Sequence, residues 1–150
     1  MEITLKINAP DGYVIDKEKS TIENIVFKKN DDTVIKWNKQ YGSVDIIADG
    51  EKFRIDAMHP SFVCSWNDAM RYFGNMVWTI PTLKQLQVLA EHIEKVNEII
   101  RENNGFEING CMWSSKENDK FCAWYVYMRD GNTNYSYKYL NYYVRAVSTF

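Results

Sequence analysis

One amphipathic segment, residues 82–105 (TLKQLQVLAEHIEKVNEIIRENNG), constrains the fold of this chain more than any other feature. Thr82 and Gln85 form the pattern of a capping box, and Gly105 follows the last periodic residue. The pattern predicts one long helix that packs a single face on a core. Its apolar residues recur at spacings of three and four and are Leu86, Leu89, Ile93, Val96 and Ile100.

Strand patterns lie on both sides of this helix. Residues 43–56 (SVDIIADGEKFRID) are typical of a hairpin that turns at Asp49-Gly50. The other predicted strands lie at residues 3–7, 22–27 and 34–38 before the helix, and at 110–115, 121–129 and 142–149 after it.

A shorter helix is predicted at residues 65–73 (SWNDAMRYF), with Ser65 as its cap and Gly74 as its stop. Residues 66–68 spell WND, a triplet that supplies calcium ligands from a strand in calcium-dependent lectins. Here the triplet opens a helix, which favours a buried Trp66 over a calcium site. The order of elements predicts an α+β fold with two helices packed on a small antiparallel sheet.

The composition excludes several classes of function. A net charge of -2 and the lack of any Lys/Arg run longer than two residues disfavour nucleic-acid binding. The N-terminal stretch alternates charged and apolar residues, unlike a signal peptide, and no apolar run approaches the length of a membrane span. We therefore expect a soluble protein that is cytoplasmic or associated with a virion.

Residues for catalysis or metal binding are sparse. Three widely spaced cysteines argue against a disulfide framework, although Cys111 and Cys122 would sit close enough to bridge or hold a soft metal if they met on neighbouring strands. His59 and His92 are the only histidines, and neither lies in a recognisable catalytic motif. The sequence predicts no catalytic residue, no metal ligand and no cofactor.

The C-terminal stretch 130–147 (DGNTNYSYKYLNYYVRAV) carries five of the ten tyrosines among Asn, Ser and Lys. Tyrosine with Ser and Asn is typical of adaptable binding surfaces, because the ring gives a large rigid contact at low entropic cost. A sheet whose tyrosines pack with their hydroxyl groups in water explains the composition equally well. The predicted ligand-binding residues are Tyr125, Tyr127, Arg129, Asn132, Asn134, Tyr135, Tyr137, Tyr139, Asn141 and Tyr142.

Several motifs between residues 60 and 150 occur in a characteristic order. They are Ser65-Trp66 with Ala69, Trp78 with Ile80-Pro81-Thr82, Trp113-Ser114-Ser115, Ala123-Trp124-Tyr125, Asp130-Gly131-Asn132, and Tyr143-Val144-Arg145 with Val147. In this combination the chain resembles the bacterial family typified by the C-terminal domain of a collagen-like adhesin, the Lcl C-terminal family. That family belongs to the C-type-lectin-fold group, which includes formylglycine-generating-enzyme-like domains.

The resemblance implies a C-type-lectin-like domain at residues 46–150, preceded by a β arm at residues 1–45. It implies that Trp113, Trp124 and Val144 are core residues and that the Tyr/Asn-rich stretch is exposed. Most relatives are binding or display modules, and some are hypervariable proteins of bacteria and phages that diversity-generating retroelements mutate near the C-terminus. The resemblance therefore implies a non-catalytic module that recognises a protein or glycan through this stretch.

Two other functions stay open at this point. One is a thiol and copper enzyme of the formylglycine-generating type, although Cys111 and Cys122 do not match that motif. The other is a structural component of a phage or surface assembly, in which the β arm makes the contacts. The calcium ligands of sugar-binding lectins have no match here, so the resemblance does not imply calcium.

Overall fold

The computed structural model of the chain describes residues 8–10, 13–16, 18–21, 27–29, 32–73 and 76–150. It divides into two compact units, residues 1–32 and 33–150. The first unit contains one antiparallel pair, β1 (Tyr13–Ile15) with β2 (Phe27–Lys29). The strand predicted at 3–7, most of that at 22–27, and the helix stop Gly74 lie outside the described residues. The boundary predicted between residues 45 and 46 falls inside a strand of the second unit.

The second unit begins with a four-stranded antiparallel sheet of order β11-β5-β4-β3. Its strands are β3 (Val34–Asn38), β4 (Ser43–Ala48), β5 (Glu51–Asp56) and β11 (Val147–Thr149). The hairpin predicted at 43–56 is confirmed, since Asp49 and Gly50 connect β4 to β5 with φ of 50° and 80°. Two positive φ angles in a two-residue loop define the turn whose twist matches the flanking strands.

A five-stranded sheet of order β6-β10-β7-β8-β9 forms the other half of this unit. Its neighbours are antiparallel except for β10 and β7, which are parallel. The strands are β6 (Phe62–Cys64), β7 (Cys111–Glu117), β8 (Cys122–Tyr127), β9 (Thr133–Tyr137) and β10 (Tyr142–Val144). The prediction of an α+β fold is confirmed, and this unit has two mostly antiparallel sheets where one small sheet was predicted.

The described residues contain three helices, α1 (Trp66–Phe73), α2 (Leu83–Glu91) and α3 (Ile93–Glu102). The Ser65 hydroxyl accepts a hydrogen bond from the Asp68 amide, as expected of a cap. Thr82 and Gln85 form the predicted capping box through bonds of 2.9 and 3.1 Å. None of the helices found in these described ranges is both long and apolar enough to cross a membrane.

The prediction of one continuous helix over residues 82–105 is wrong, because the helix breaks at His92 (φ -111°, ψ 17°). The two halves contact different strands. The α2 helix contacts β7 and β8 of the five-stranded sheet and β5 of the four-stranded sheet, whereas α3 contacts β3 and β4 of the four-stranded sheet. The packing surface therefore changes at the break.

Two hydrophobic clusters form the core of this unit. The larger cluster joins α2 and α3 to both sheets and includes Phe53, Ile55, Leu86, Leu89, Ile100, Met112 and Val126. The smaller cluster packs α1 on the five-stranded sheet and includes Trp66, Ala69, Trp113, Ala123 and Val144. Trp113 and Val144 are buried as the resemblance implied, while Trp124 is only partly buried.

A buried arginine ties the C-terminal strands to two loops. The Arg145 guanidinium donates to the Ser61 hydroxyl and to the carbonyl groups of Asp56, Phe106 and Glu107 at 2.8 to 3.1 Å. Burial lowers the pKa of Arg145 to about 10, and Asp56 partly offsets that effect. The group therefore stays charged at neutral pH, and its charge is satisfied mainly by carbonyl dipoles.

Candidate functional site

A row of aromatic rings projects from the outer hairpin of the five-stranded sheet. Trp124 on β8 lies opposite Tyr135 on β9, and their rings meet edge to face with centroids 5.2 Å apart. Beyond them the rings of Tyr137 and Tyr139 stack, with centroids 5.4 Å apart and planes 15° apart. We call these four residues, Trp124, Tyr135, Tyr137 and Tyr139, the tyrosine ridge.

The three tyrosines of the tyrosine ridge are well exposed. Their exposed fractions are 49% for Tyr135, 54% for Tyr137 and 71% for Tyr139. The strand that carries the first two, β9, is at the edge of its sheet. Rings that only filled the sheet's core would be covered, so the ridge is a surface feature.

The position of α2 explains why the ridge is uncovered. Residues opposite each other in an antiparallel pair point to the same face, so Val126 and Thr133 share a face with the ridge. Val126 is buried in the larger core cluster, and the amide of Gln87 on α2 lies 3.3 Å from the Thr133 hydroxyl. The α2 helix covers the residue pair Val126 and Thr133, while the next two pairs along this face carry the exposed rings of Tyr135 and Tyr137.

Lys138 fixes the turn that follows β9. Its Nζ donates to the Glu117 carboxylate at 3.0 Å and to the Lys120 carbonyl at 3.1 Å. The same ammonium lies 4.7 Å from the centroid of the Trp66 ring, and the residue is only 8% exposed. Tyr137 and Tyr139, on either side of Lys138, are therefore attached to an anchored backbone.

The opposite face of the same hairpin carries a second aromatic group that is partly buried. The ring centroids of Tyr125 and Tyr142 are 4.9 Å apart, and Tyr142 lies 4.8 Å from buried Trp113. The Tyr142 hydroxyl also lies 3.2 Å from the Ser136 hydroxyl. Burial raises the pKa of Tyr125, with further contributions from Tyr142 and Cys111, so its hydroxyl stays protonated at neutral pH.

The remaining predicted residues occupy other places. Tyr127 is partly buried at the end of β8, and Asn134 is exposed on β9, where its Oδ1 accepts from the Tyr135 amide. Arg129 and Asn132 are exposed at the turn between β8 and β9, and Asn141 is exposed just before β10. The ten residues thus fall into the ridge, the partly buried face and the two turns. They do not share one surface.

Two residues of this region were not among those predicted for the site. Trp124 was expected in the core, and Lys138 was seen only as a polar residue between tyrosines. The hairpin register supplies the missing signal for Trp124, because it places this residue opposite Tyr135. The role of Lys138 depends on its contacts with Glu117 and Trp66, which are distant in the sequence.

Cys111 and Cys122, the pair considered for a bridge or a soft metal, lie far apart in the structure. Cys111 pairs with Tyr127, and Cys122 lies at the other end of β8, about five residues or roughly 16 Å along the strand. Burial raises the pKa of the thiols of Cys64 and Cys111, and nearby Asp68 and Asp130 add to this rise. A reactive cysteine instead has a lowered thiol pKa, because the thiolate is the form that reacts.

Among the described residues, one group offers three metal-binding atoms near one another. It comprises Asp49, Glu91 and His92, whose ligand atoms lie within 4.8 Å of each other. His59, the other histidine, is exposed, and its Nδ1 lies 3.0 Å from the Asp56 carboxylate. The group at His92 uses the β4–β5 turn and the α2–α3 junction, so it is built from elements other than those of the ridge.

The second unit is therefore an α+β domain with two mostly antiparallel sheets and an aromatic ridge on its outer hairpin. Residues 27–148 match the Lcl C-terminal domain family, and the chain belongs to this family. The match begins well before residue 60, where the recognised motifs start, and includes the strands β3 to β5. No curated protein is found to match the sequence.

Proposed function

We propose that the chain is a non-catalytic ligand-binding or display module that recognises a protein or glycan through the tyrosine ridge. The observation that carries the proposal is the exposure of Tyr135, Tyr137 and Tyr139 on an anchored turn and an edge strand. Exposed aromatic clusters of this kind mark interaction sites more often than isolated apolar residues do.

The geometry suits recognition because the tyrosine side chains of the ridge are already held by neighbouring rings, so they lose little conformational entropy when a ligand binds. Tyr137 and Tyr139 already stack in parallel, and Tyr135 is held against Trp124. A tyrosine offers a flat apolar face and a hydroxyl group, which together serve sugar rings and protein surfaces. Asn141, just before β10, adds an exposed amide group close to the ridge in sequence.

The thiols support a binding role over a thiol and copper enzyme. Cys111 begins β7 and lies opposite Tyr127 at the end of β8, whereas Cys122 lies at the start of β8. The two thiols are therefore too far apart to share a metal ion or form a disulfide unless the backbone moves. The raised thiol pKa values of Cys64 and Cys111 also disfavour the thiolate that such chemistry requires.

The proposal includes two finer statements, a C-type-lectin-like fold and a C-terminal segment diversified by a retroelement. Both rest on the motif resemblance and on the Tyr, Asn and Ser content of residues 125–143. Deep sequencing of the gene in its source population tests the second statement. Substitutions concentrated at 125–143 would support it, whereas a segment as uniform as residues 83–102 would refute it.

A binding screen tests the main proposal directly. The purified chain is applied to a glycan array and to a displayed peptide library, and each hit is measured again with Tyr137→Ala and Tyr139→Ala. We expect each variant to weaken binding about thirtyfold, the effect of losing an anchor worth about 2 kcal/mol.

Tyr72→Ala is the matched control, because Tyr72 is 72% exposed but lies on α1. It should leave binding unchanged. Ligands that bind the two ridge variants as well as the wild type, or that are lost equally with Tyr72→Ala, would contradict the proposal.

A further inference from the structure

The fold brings three potential metal ligands together from distant positions in the sequence. Asp49 is the first residue of the β4–β5 turn, Glu91 ends α2, and His92 is the junction between α2 and α3. One nitrogen and two carboxylate oxygens thereby lie within 4.8 Å of one another. The helix break at His92 is part of this arrangement.

The imidazole of His92 has an unsatisfied nitrogen. Its Nε2 is shielded from solvent and has no hydrogen-bond partner in the described part of the chain. The nearest carboxylate oxygen, Oδ2 of Asp49, is 3.9 Å away, which is too far for a hydrogen bond. A buried polar atom without a hydrogen-bond partner lowers the stability of a folded protein and is uncommon. We therefore expect this nitrogen to bind a partner.

The charges around His92 favour a cation as that partner. Asp49 and Glu91 are both acidic, and a neutral imidazole between them compensates neither charge. A protonated imidazole would offset one charge but would still leave the Nε2 proton without an acceptor at 3.9 Å. Lys95, the nearest lysine along α3, lies 3.8 Å from Glu98 instead. A bound cation satisfies the nitrogen and both carboxylates together.

We propose that Asp49, Glu91 and His92 bind a divalent transition-metal ion, with zinc as the best fit. An imidazole nitrogen favours zinc and its neighbours over calcium and magnesium, which prefer oxygen ligands only. Ligand atoms about 2.0 to 2.1 Å from zinc lie about 3.3 Å from one another in a tetrahedron. The three ligand atoms, now within 4.8 Å of one another, would move slightly closer together when the ion binds. Three protein ligands leave one position for water.

The ion's structural effect follows from where its ligands lie. It links the β4–β5 turn of the four-stranded sheet to the junction of α2, which packs on both sheets, with α3, which packs on the four-stranded sheet. Both carboxylates are solvent-exposed, which gives the ion a route into the site. Zinc binding therefore stabilises the fold by mass action, since the unfolded chain does not hold the three groups together.

To test the proposal, zinc chloride is titrated into the chelator-treated, reduced 150-residue chain. Calorimetry measures the affinity, and thermal unfolding measures the stability. We expect binding of one zinc ion and a rise in the unfolding temperature. The variants Asp49→Asn, Glu91→Gln and His92→Gln should each weaken binding about tenfold or more, since even residues that only orient a ligand contribute that much. Asparagine tolerates the positive φ of Asp49, so the first variant removes the charge and keeps the turn.

Two variants serve as controls. Glu102→Gln removes an exposed carboxylate from α3 away from the site, and His59→Gln removes the other histidine with a carboxylate partner. Both should bind zinc like the wild type. If the wild type binds no zinc, if His92→Gln binds zinc like the wild type, or if His59→Gln weakens binding as much as His92→Gln does, the proposal is wrong.

Cobalt substitution separates this site from the cysteines. A cobalt complex with one nitrogen and two carboxylates lacks the thiolate charge-transfer band that cysteine ligation produces. A spectrum without that band supports the proposal, and a strong thiolate band overturns it. The zinc result is independent of the tyrosine ridge, so its failure would leave the proposed function untouched.

Discussion

The ammonium group of Lys138 lies 3.0 Å from the carboxylate of Glu117 and 4.7 Å from the ring centroid of Trp66. The Lys138 carbonyl also accepts a hydrogen bond of 3.0 Å from the Trp66 amide at the start of α1. One residue of the turn after β9 thus contacts the end of β7 and the beginning of a helix. This connection holds the backbone between Tyr137 and Tyr139 in place.

Replacing Lys138 with methionine should lower the free energy of unfolding by about 1–2 kcal/mol. Methionine keeps most of the buried stem but loses the ammonium group, its bond to the Lys120 carbonyl and its contact with the Trp66 ring. Denaturant unfolding measures the change.

Glu117→Gln is the control for this variant. The Glu117 side chain is 57% exposed, so its ion pair with Lys138 is screened by solvent and its loss should cost under about 1 kcal/mol. Equal losses in the two variants would mean that the ion pair, and not the buried contacts, holds the turn.

Two tyrosines of the ridge should differ in their effect on stability. Tyr135→Ala removes an edge-to-face contact with Trp124, a kind of contact worth about 1 kcal/mol. Tyr139 is 71% exposed, so Tyr139→Ala should change the free energy of unfolding by no more than about 0.5 kcal/mol. Thermal unfolding of the two variants side by side gives the comparison. A large loss in Tyr139→Ala would make the ridge a packing feature.

Much of the fold was predictable because its signals are local. The capping box at Thr82, the cap at Ser65 and the Asp49-Gly50 turn are each defined within a few residues, and the structure confirms all three. The break at His92 was missed because the apolar spacing of three and four continues through it. It coincides with a change in tertiary contacts, since α2 contacts β5, β7 and β8 whereas α3 contacts β3 and β4.

The candidate site was predictable in composition but not in arrangement. Alternation alone placed Tyr135 and Tyr137 on one face, which the structure confirms through their partners on β8. It could not show that α2 would cover Thr133 and leave those two rings exposed, because that depends on packing between distant segments. The contribution of Asp49 to the group around His92 was missed for the same reason.

Stability should fall as the solution becomes alkaline, through the thiols of Cys64 and Cys111. Burial raises the pKa of both thiols above their ordinary value of 9.0. Above pH 9.0 the thiols of the unfolded chain lose their protons, while those of the folded chain keep them. The stability that is fully present below pH 9.0 is therefore lost as the pH rises through the pKa values of the folded state. Denaturant midpoints should decline between the ordinary thiol pKa of 9.0 and the Arg145 pKa of about 10, above which the lowered pKa of Arg145 acts in the opposite direction.

The double variant Cys64→Ala, Cys111→Ala isolates this effect. It should decline less steeply with pH than the wild type, while the raised pKa of Tyr125 keeps part of the decline. If the denaturant midpoint of the double variant falls with pH as steeply as that of the wild type, these two thiols do not cause the decline.

Gly110 should tolerate alanine less well than Gly131 does. Both glycines have left-handed φ angles, 83° and 76°, so alanine carries a backbone cost of about 1–2 kcal/mol at either position. At Gly110 the added Cβ would also lie 2.7 Å from Cε2 of Tyr143, whereas at Gly131 its nearest neighbour is 3.9 Å away. The free energy of unfolding should therefore fall further for Gly110→Ala. Adding Tyr143→Ala should cost less in the Gly110→Ala background than in the wild type, because in that background removal of the ring also relieves its collision with the added Cβ. If Gly110→Ala and Gly131→Ala are equally destabilising, the Tyr143 ring swings aside freely and the close approach has no energetic weight.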